Sequence, residues 1–165
     1  MLNPVDRQAK KIDDFKMSKT KKPFWERKSL EQMTTEEWEK LCDGCGRCCL
    51  EKLEDENSSM IFYTSVACRY LDTWTCRCLD YQDRIHNVPD CLVINPKVIR
   101  EVSWLPKTCA YRRILEGKGL EAWHPMVSGD VNSVHKAGIS VRDKVISATY
   151  VPEDDLDAYI IDTEI

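Results

Sequence analysis

The run Cys42-Asp43-Gly44-Cys45-Gly46-Arg47-Cys48-Cys49, a C-x-x-C-x-x-C-C pattern, constrains this chain more than any other segment. Two residues between cysteines let a tight turn aim both sulfurs inward, about 2.3 Å from one metal, while the intervening amides face the thiolates and stabilise their charge. Gly44 and Gly46 suit such a turn, because glycine takes positive φ and has no Cβ to block amide–sulfur approach. Arg47 is expected to bring a positive charge to a site holding three or four thiolates. Cys68, Cys76, Cys78 and Cys91 follow downstream and close a loop back to the first knuckle.

The compartment decides how these thiols are read. The N-terminal stretch MLNPVDRQAKKIDDFKMSKTKK contains no apolar segment of the kind that directs secretion. The expected location is therefore the reducing cytoplasm, where structural disulfides do not persist. The odd total of nine cysteines points the same way, since disulfides pair thiols whereas metal sites take them in threes and fours. No apolar run exceeds about four residues, as at Met60 to Tyr63, against roughly 20 for a bilayer span, so no membrane association is expected. Five Trp and six Tyr argue for a packed core despite 32% charged residues and a mean hydropathy of −0.47.

A length of 165 residues allows one domain, or one plus a tail. Residues 1–22 carry a charge of +4 within a chain of −4 and read as a flexible, solvated basic arm, with no nucleic-acid binding expected of it. The domain is expected over 23–165. WERKSLEQM, from Trp25, has a short helical pattern, and Thr34 with Glu37 has capping-box spacing ahead of a second helix carrying Trp38, Leu41 and Cys42 on one face. The acidic stretch EKLEDENSS, after Leu50, reads as a loop and MIFYTSVA as one strand. LDYQDRIH is expected to give a turn or two of helix. Asn95 with Pro96 starts a further helix, Pro106 to Glu116 forms another stopped by Gly117, and Gly119 to Ser133 reads as loop. ISVRDKVISATYV suits one or two strands, and DDLDAYIIDTEI a terminal turn or strand.

Eight thiols between positions 42 and 91 are too many for ordinary core packing, so Cys42, Cys45, Cys48, Cys49, Cys68, Cys78 and Cys91 are the candidate ligands, with Cys76 as an additional one. Cys48 and Cys49 are neighbours whose side chains should diverge, to different irons, to different zincs, or as one ligand and one neighbour. Cys109, inside the expected helix KTCAYRRIL, reads as a small buried hydrophobe. His86 reads as a surface or packing residue, His124 is fixed between Trp123 and Pro125, and His135 lies in a polar loop. Tyr81 and Arg84, three apart, read as structural supports of the site. There is no G-x-G-x-x-G, G-x-x-x-x-G-K-[ST], H-E-x-x-H or G-x-S-x-G, so no catalytic residue is assigned.

At these residues the chain resembles the bacterial C-x-x-C-x-x-C-C family described as zinc- or iron-chelating. The pattern continues through Cys68 in ACRYL, then Cys78-Leu79-Asp80-Tyr81-Gln82-Asp83-Arg84, then Cys91. WLPKTCAYR (Trp104 to Arg112) and AWHP (Ala122 to Pro125) look like the compact YcgN-type subfamily, and the resemblance covers roughly residues 24 to 150. Cys76 is an extra thiol relative to the broader family, and Ile85 stands where a Pro often follows the Arg. The resemblance implies metal chelation without a settled reaction.

The expected fold is α+β: a helix-rich, irregular single domain organised around a cysteine-bound metal centre. Three evenly spaced thiols match the bacterial iron–sulfur run, with a distant Cys as fourth ligand, somewhat better than paired zinc knuckles. The expected function is metal binding in redox chemistry, cluster handling or metal homeostasis. Two alternatives stand beside it: a part of a methyl-transfer or redox enzyme system, and a structural zinc module for protein interaction. The protein partner is left open.

Overall fold

Capping chemistry sets the first elements of the computed structural model, which describes residues 22–161. The basic arm expected over 1–22 lies outside the described residues except for Lys22. Helix α1 (Phe24–Arg27) stops at Lys28, whose backbone is extended, and Ser29 with Gln32 then caps a separate 3-10 turn, Leu30–Gln32. The single helix expected from Trp25 is thus two short pieces, because Ser29 offers the backbone a competing start. Thr34 caps α2 (Thr35–Glu39) as expected: its hydroxyl accepts from the Glu37 amide at 3.2 Å while the Glu37 carboxylate accepts from the Thr34 amide at 2.9 Å.

The chain leaves α2 directly into the cysteine run and then enters β1 (Leu50–Glu54), which pairs antiparallel with β2 (Ile61–Ala67). The loop expected after Leu50 is therefore half strand. Asp55 explains the turn, since its carboxylate accepts from the Asn57 and Ser58 amides and frees EKLE to pair with an apolar partner. A bulge between Leu50 and Lys52 sets the register, so that Lys52 lies opposite Tyr63. β5 (Ile146–Ser147) adds parallel to β2, giving the sheet order β1-β2-β5. β3 (Leu71–Asp72) and β4 (Arg77–Cys78) form a small hairpin beside it.

The remaining helices are single turns: α3 (Arg84–Asn87), α4 (Val98–Glu101), α5 (Ala110–Leu115), α6 (Pro125–Ser128) and α7 (Ser133–Lys136). Asn95 caps α4 by accepting from the Lys97 and Val98 amides. The helix expected from Pro106 begins four residues late, because Cys109 adopts an extended ψ of 124° and becomes the N-cap. α6 arises where a loop was expected, with Pro125 at its first position and His124 capping it. At the C-terminal end, Glu153–Tyr159 forms 3-10 turns and Ile160 bridges to Thr64. The result is the expected α+β single domain; among the described residues, no helix is long and apolar enough to cross a membrane.

Two cores flank the cysteine run. Leu30, Trp38, Leu41, Ile99, Leu105, Ala110 and Tyr111 build the first, with Cys48 and Cys109 packed on it. The Trp38 and Tyr111 rings lie 4.7 Å apart, and Tyr111 donates its hydroxyl to the Trp38 carbonyl. Leu50, Ala67, Leu71, Cys76 and Val141 build the second, with Cys49 packed on it. Cys48 and Cys49 thus belong to different cores, and the run between them is held from both sides.

Candidate metal centre

The run is a sequence of tight turns fixed by local and distant bonds. Asp43 is buried and its carboxylate accepts from the Cys45 amide at 3.0 Å. Gly44 and Gly46 both take left-handed φ, 76° and 75°. An added Cβ would meet the Arg77 guanidinium at 2.7 Å from Gly44 and the Val141 side chain at 2.7 Å from Gly46. Residues 47–49 close as a 3-10 turn, with the Cys49 amide donating to the Gly46 carbonyl. Val141 donates to the Cys45 carbonyl and Cys68 to the Cys49 carbonyl, which ties two distant segments to the knuckle.

The amide arrangement is the one that metal knuckles use. The Gly44 amide faces the Cys42 sulfur, the Arg47 amide the Cys45 sulfur, and the Tyr70 amide the Cys68 sulfur. The thiols also feel one another. Desolvation, then Cys48 and Asp43, push the Cys42 thiol up to about 12, although the residue keeps an exposed flank. Burial, then Asp43 and Cys48, push the Cys45 thiol well above its ordinary value. Cys48 and Cys49 share a hydrogen bond 3.9 Å long between sulfurs, so Cys48 ionises first and Cys49 is held protonated.

Cys68 joins this group beside Cys49, and Cys78 and Cys91 join through Cys68. Cys76 does not. It lies in the second core at a φ of 55°, its sulfur facing Ser140 and the Val141 and Arg142 amides. The expected divergence of Cys48 and Cys49 is also not seen at the sulfurs, which lie 3.9 Å apart although the two residues pack on different cores. Their separation matches the edge of a thiolate tetrahedron, about 3.8 Å for a metal–sulfur bond near 2.3 Å. The donor set therefore fits a thiophilic ion or cluster. As the side chains stand, no three Cys, His, Asp or Glu among the described residues converge closely enough to hold a metal ion. A thiolate site takes its closed geometry from the ion it binds.

The positive charges come from residues that local spacing does not reveal. Arg47 turns away from the thiols, donating to the Ile139 carbonyl and to Thr108. Arg77 lies beside Cys42, and Lys52 beside Cys48, Cys49 and Cys68. The Lys52 ammonium donates to the Cys48 and Leu50 carbonyls, at 2.9 and 2.6 Å, under the rings of Trp104 and Tyr63. Burial lowers its pKa while the thiols oppose that shift. Arg84 stacks on Tyr81 at 3.8 Å and lies near Cys91, and Tyr81 donates to Glu39.

The histidines divide clearly. His124 is buried, with Nδ1 accepting from the Met126 amide and Nε2 set 3.1 Å from the Leu41 carbonyl. A ring protonated at Nε2 satisfies both bonds, so His124 anchors the residue before Cys42 and has no nitrogen left for a metal. His135 bonds Ser140, and His86 is exposed on α3.

Residues 41–110 match a family model described as "Putative zinc- or iron-chelating domain". The chain is 54% identical over 138 residues to a UPF0260 protein of Brucella melitensis biotype 2, covering 84% of this chain and 91% of the relative. It is 53% identical over 139 residues to one from Rhizobium meliloti, covering 84% and 90%. A third, from Sinorhizobium medicae, is 57% identical over 135 residues, covering 82% and 84%. No solved structure matches.

Proposed function

This chain belongs to the UPF0260 family, and from that premise we propose that it is a cytoplasmic protein holding an iron–sulfur cluster on Cys42, Cys45 and Cys48, for electron transfer or cluster handling. The fourth position falls to a neighbouring thiol; Cys49, Cys68, Cys78 and Cys91 make up the rest of the thiol group. What supports the reading is the knuckle itself: two left-handed glycines, and amides that face the Cys42 and Cys45 sulfurs. A bound cluster supplies one-electron exchange. The chain's own residues prepare its surroundings: Lys52 and Arg77 place positive charge beside the thiolates, and Tyr63 and Trp104 cover Lys52.

The 3.9 Å spacing of the Cys48 and Cys49 sulfurs favours a second reading, a single tetrahedral zinc in a module for protein interaction. Metal and acid-labile sulfide analysis of protein purified without oxygen separates the two. Iron with equal sulfide and a broad absorbance near about 400 nm is expected of the cluster. Zinc without sulfide establishes the second reading. A folded protein that takes up neither metal overturns both.

A further inference from the structure

We propose that the surface around Cys42, formed by Trp74, Arg77, Tyr81 and Arg142, is the docking face for an acidic protein partner. The proposal rests on the reading that the cysteine run holds a metal centre, and it names where that centre is reached and by what. Cys42 is exposed, whereas the other eight cysteines are buried or half-buried, so the thiol group comes to the surface at this point. Nearby the chain exposes large side chains that neither core uses: Trp74 at 62%, Leu79 at 68% and Tyr81 at 44%. Trp, Tyr and Arg are the side chains that dominate the energetics of protein interfaces.

Hydrogen bonds tie these residues to both ends of the first knuckle. At the Cys42 end, the Tyr81 hydroxyl donates to the Glu39 carboxylate at 2.7 Å, and the Cys42 amide donates to the Glu39 carbonyl at 3.3 Å. At the Cys45 end, Val141 donates its amide to the Cys45 carbonyl, and the next residue, Arg142, stacks 4.7 Å from the centre of the Trp74 ring while its Nε donates to the Trp74 carbonyl. Arg77 covers the middle, with its guanidinium against Gly44. The turn that carries Trp74 is itself fixed, because the Asp72 carboxylate accepts from the Trp74 and Thr75 amides at 2.8 and 3.0 Å and Cys76 anchors the hairpin in the second core. An exposed ring held in place without a core is preorganised, which lowers the cost of ordering it on binding.

Charge selects the partner. Among the described residues neither Arg77 nor Arg142 makes an ion pair. The carboxylates tied to this face are already occupied, Asp72 by two amides and Glu39 by the Tyr81 hydroxyl. A guanidinium stacked on a ring still presents its N–H edge to a carboxylate. The chain as a whole carries −4, so its net charge alone would draw a basic partner, whereas Arg77 and Arg142 draw an acidic one to this face.

A plant-type ferredoxin, a small acidic one-electron carrier, is the probe, and cytochrome c, small and basic, is its counterpart. The metal-loaded full chain is titrated against each, dye-labelled, with binding read by anisotropy and the contact mapped by deuterium exchange. Ferredoxin is expected to bind more tightly than cytochrome c, and to weaken at least about tenfold between about 20 and about 300 mM salt. Trp74→Ala, and Arg77→Glu combined with Arg142→Glu, are each expected to weaken it at least about tenfold. Segments 72–85 and 141–144 should gain protection in the wild-type complex, a measurement that needs no variant to fold. Preference for cytochrome c, no binding of ferredoxin, or protection confined to residues 1–22 overturns the proposal, as does a chain that covers this face with a second copy of itself. A loaded chain that fails to bind ferredoxin leaves the proposed function standing. A chain that takes up no metal yet binds ferredoxin on this face loses the proposed function and keeps the docking face.

Discussion

The ammonium of Lys52 sits 4.3 Å over the Trp104 ring while donating to the Cys48 carbonyl at 2.9 Å. One side chain therefore binds the cysteine run, the first residue of β1 and the segment that leads to α5. A cation enclosed by two aromatic rings gains roughly 2 kcal/mol when desolvated, and its charge also offsets neighbouring thiolates. Lys52→Met is expected to lower stability by about 2 kcal/mol and to weaken metal retention about tenfold, with Lys52→Arg recovering part of both. Urea midpoints and chelator competition check this. Equal retention in the methionine variant would show that the charge is irrelevant to the centre.

Gly44 and Gly46 share a left-handed φ but differ in what surrounds them. Alanine at either position meets a backbone cost of about 1–2 kcal/mol. At Gly44 the obstruction is the end of the flexible Arg77 side chain, whereas at Gly46 it is Val141 in the second core, with the Cys76 Cβ at 3.2 Å. Gly46→Ala should therefore be the worse variant by about 1–3 kcal/mol, through overpacking. Thermal unfolding of the two variants side by side tests the order.

The raised thiols make the metal-free chain sensitive to alkali. Cys42 is pushed up to about 12 and Cys109 to about 11, in each case by desolvation first, against an ordinary value of 9.0. Above pH 9 the unfolded chain loses these protons before the folded one does, so the unfolded state binds fewer protons and stability falls as pH rises. The urea midpoint of the stripped chain is expected to drop steadily from about pH 9 to pH 11. Cys42→Ser should flatten that decline. The loaded protein responds at the other end, releasing metal as acid protonates its thiolates.

Cys76 should separate from the other thiols in its behaviour. Its sulfur faces Ser140 and two amides, and the residue fills the second core with only 3% of its surface exposed. Cys76→Ser is expected to keep its bound metal per chain while losing about 1 kcal/mol of stability. Metal analysis alongside thermal unfolding decides the matter, and lost metal with unchanged stability would place Cys76 among the ligands.

Local signals were legible where the atoms they describe are close in sequence. The Thr34–Glu37 capping box, the β2 strand and the glycine turns of the knuckle all follow from contacts within a few residues. β1 was illegible because an acidic stretch pairs only when Tyr63, Phe62 and Ile61 lie opposite it. Cys109 was illegible because a helical pattern does not say where the first turn starts, and here the Cys109 ψ of 124° delays it. The charged partners followed the same rule. Arg47, adjacent to the thiols, turns to Ile139, whereas Lys52 and Arg77 arrive by strand register and hairpin closure.

The sequence by itself determined the character of this protein: a thiol-rich, cysteine-knuckle domain of α+β class, with eight of its nine thiols concentrated between Cys42 and Cys91. Spacing of two residues between cysteines encodes a turn, and a turn needs no distant partner. Only the tertiary structure decided which thiols are neighbours, that Cys76 belongs to a core, and that His124 spends both ring nitrogens holding Leu41 in place. Those outcomes depend on which apolar faces bury one another across 40 to 90 positions, as when Tyr63 meets Trp104 or Arg47 meets Ile139. Burial of that kind is a property of the whole packed chain, and no short window of sequence carries it.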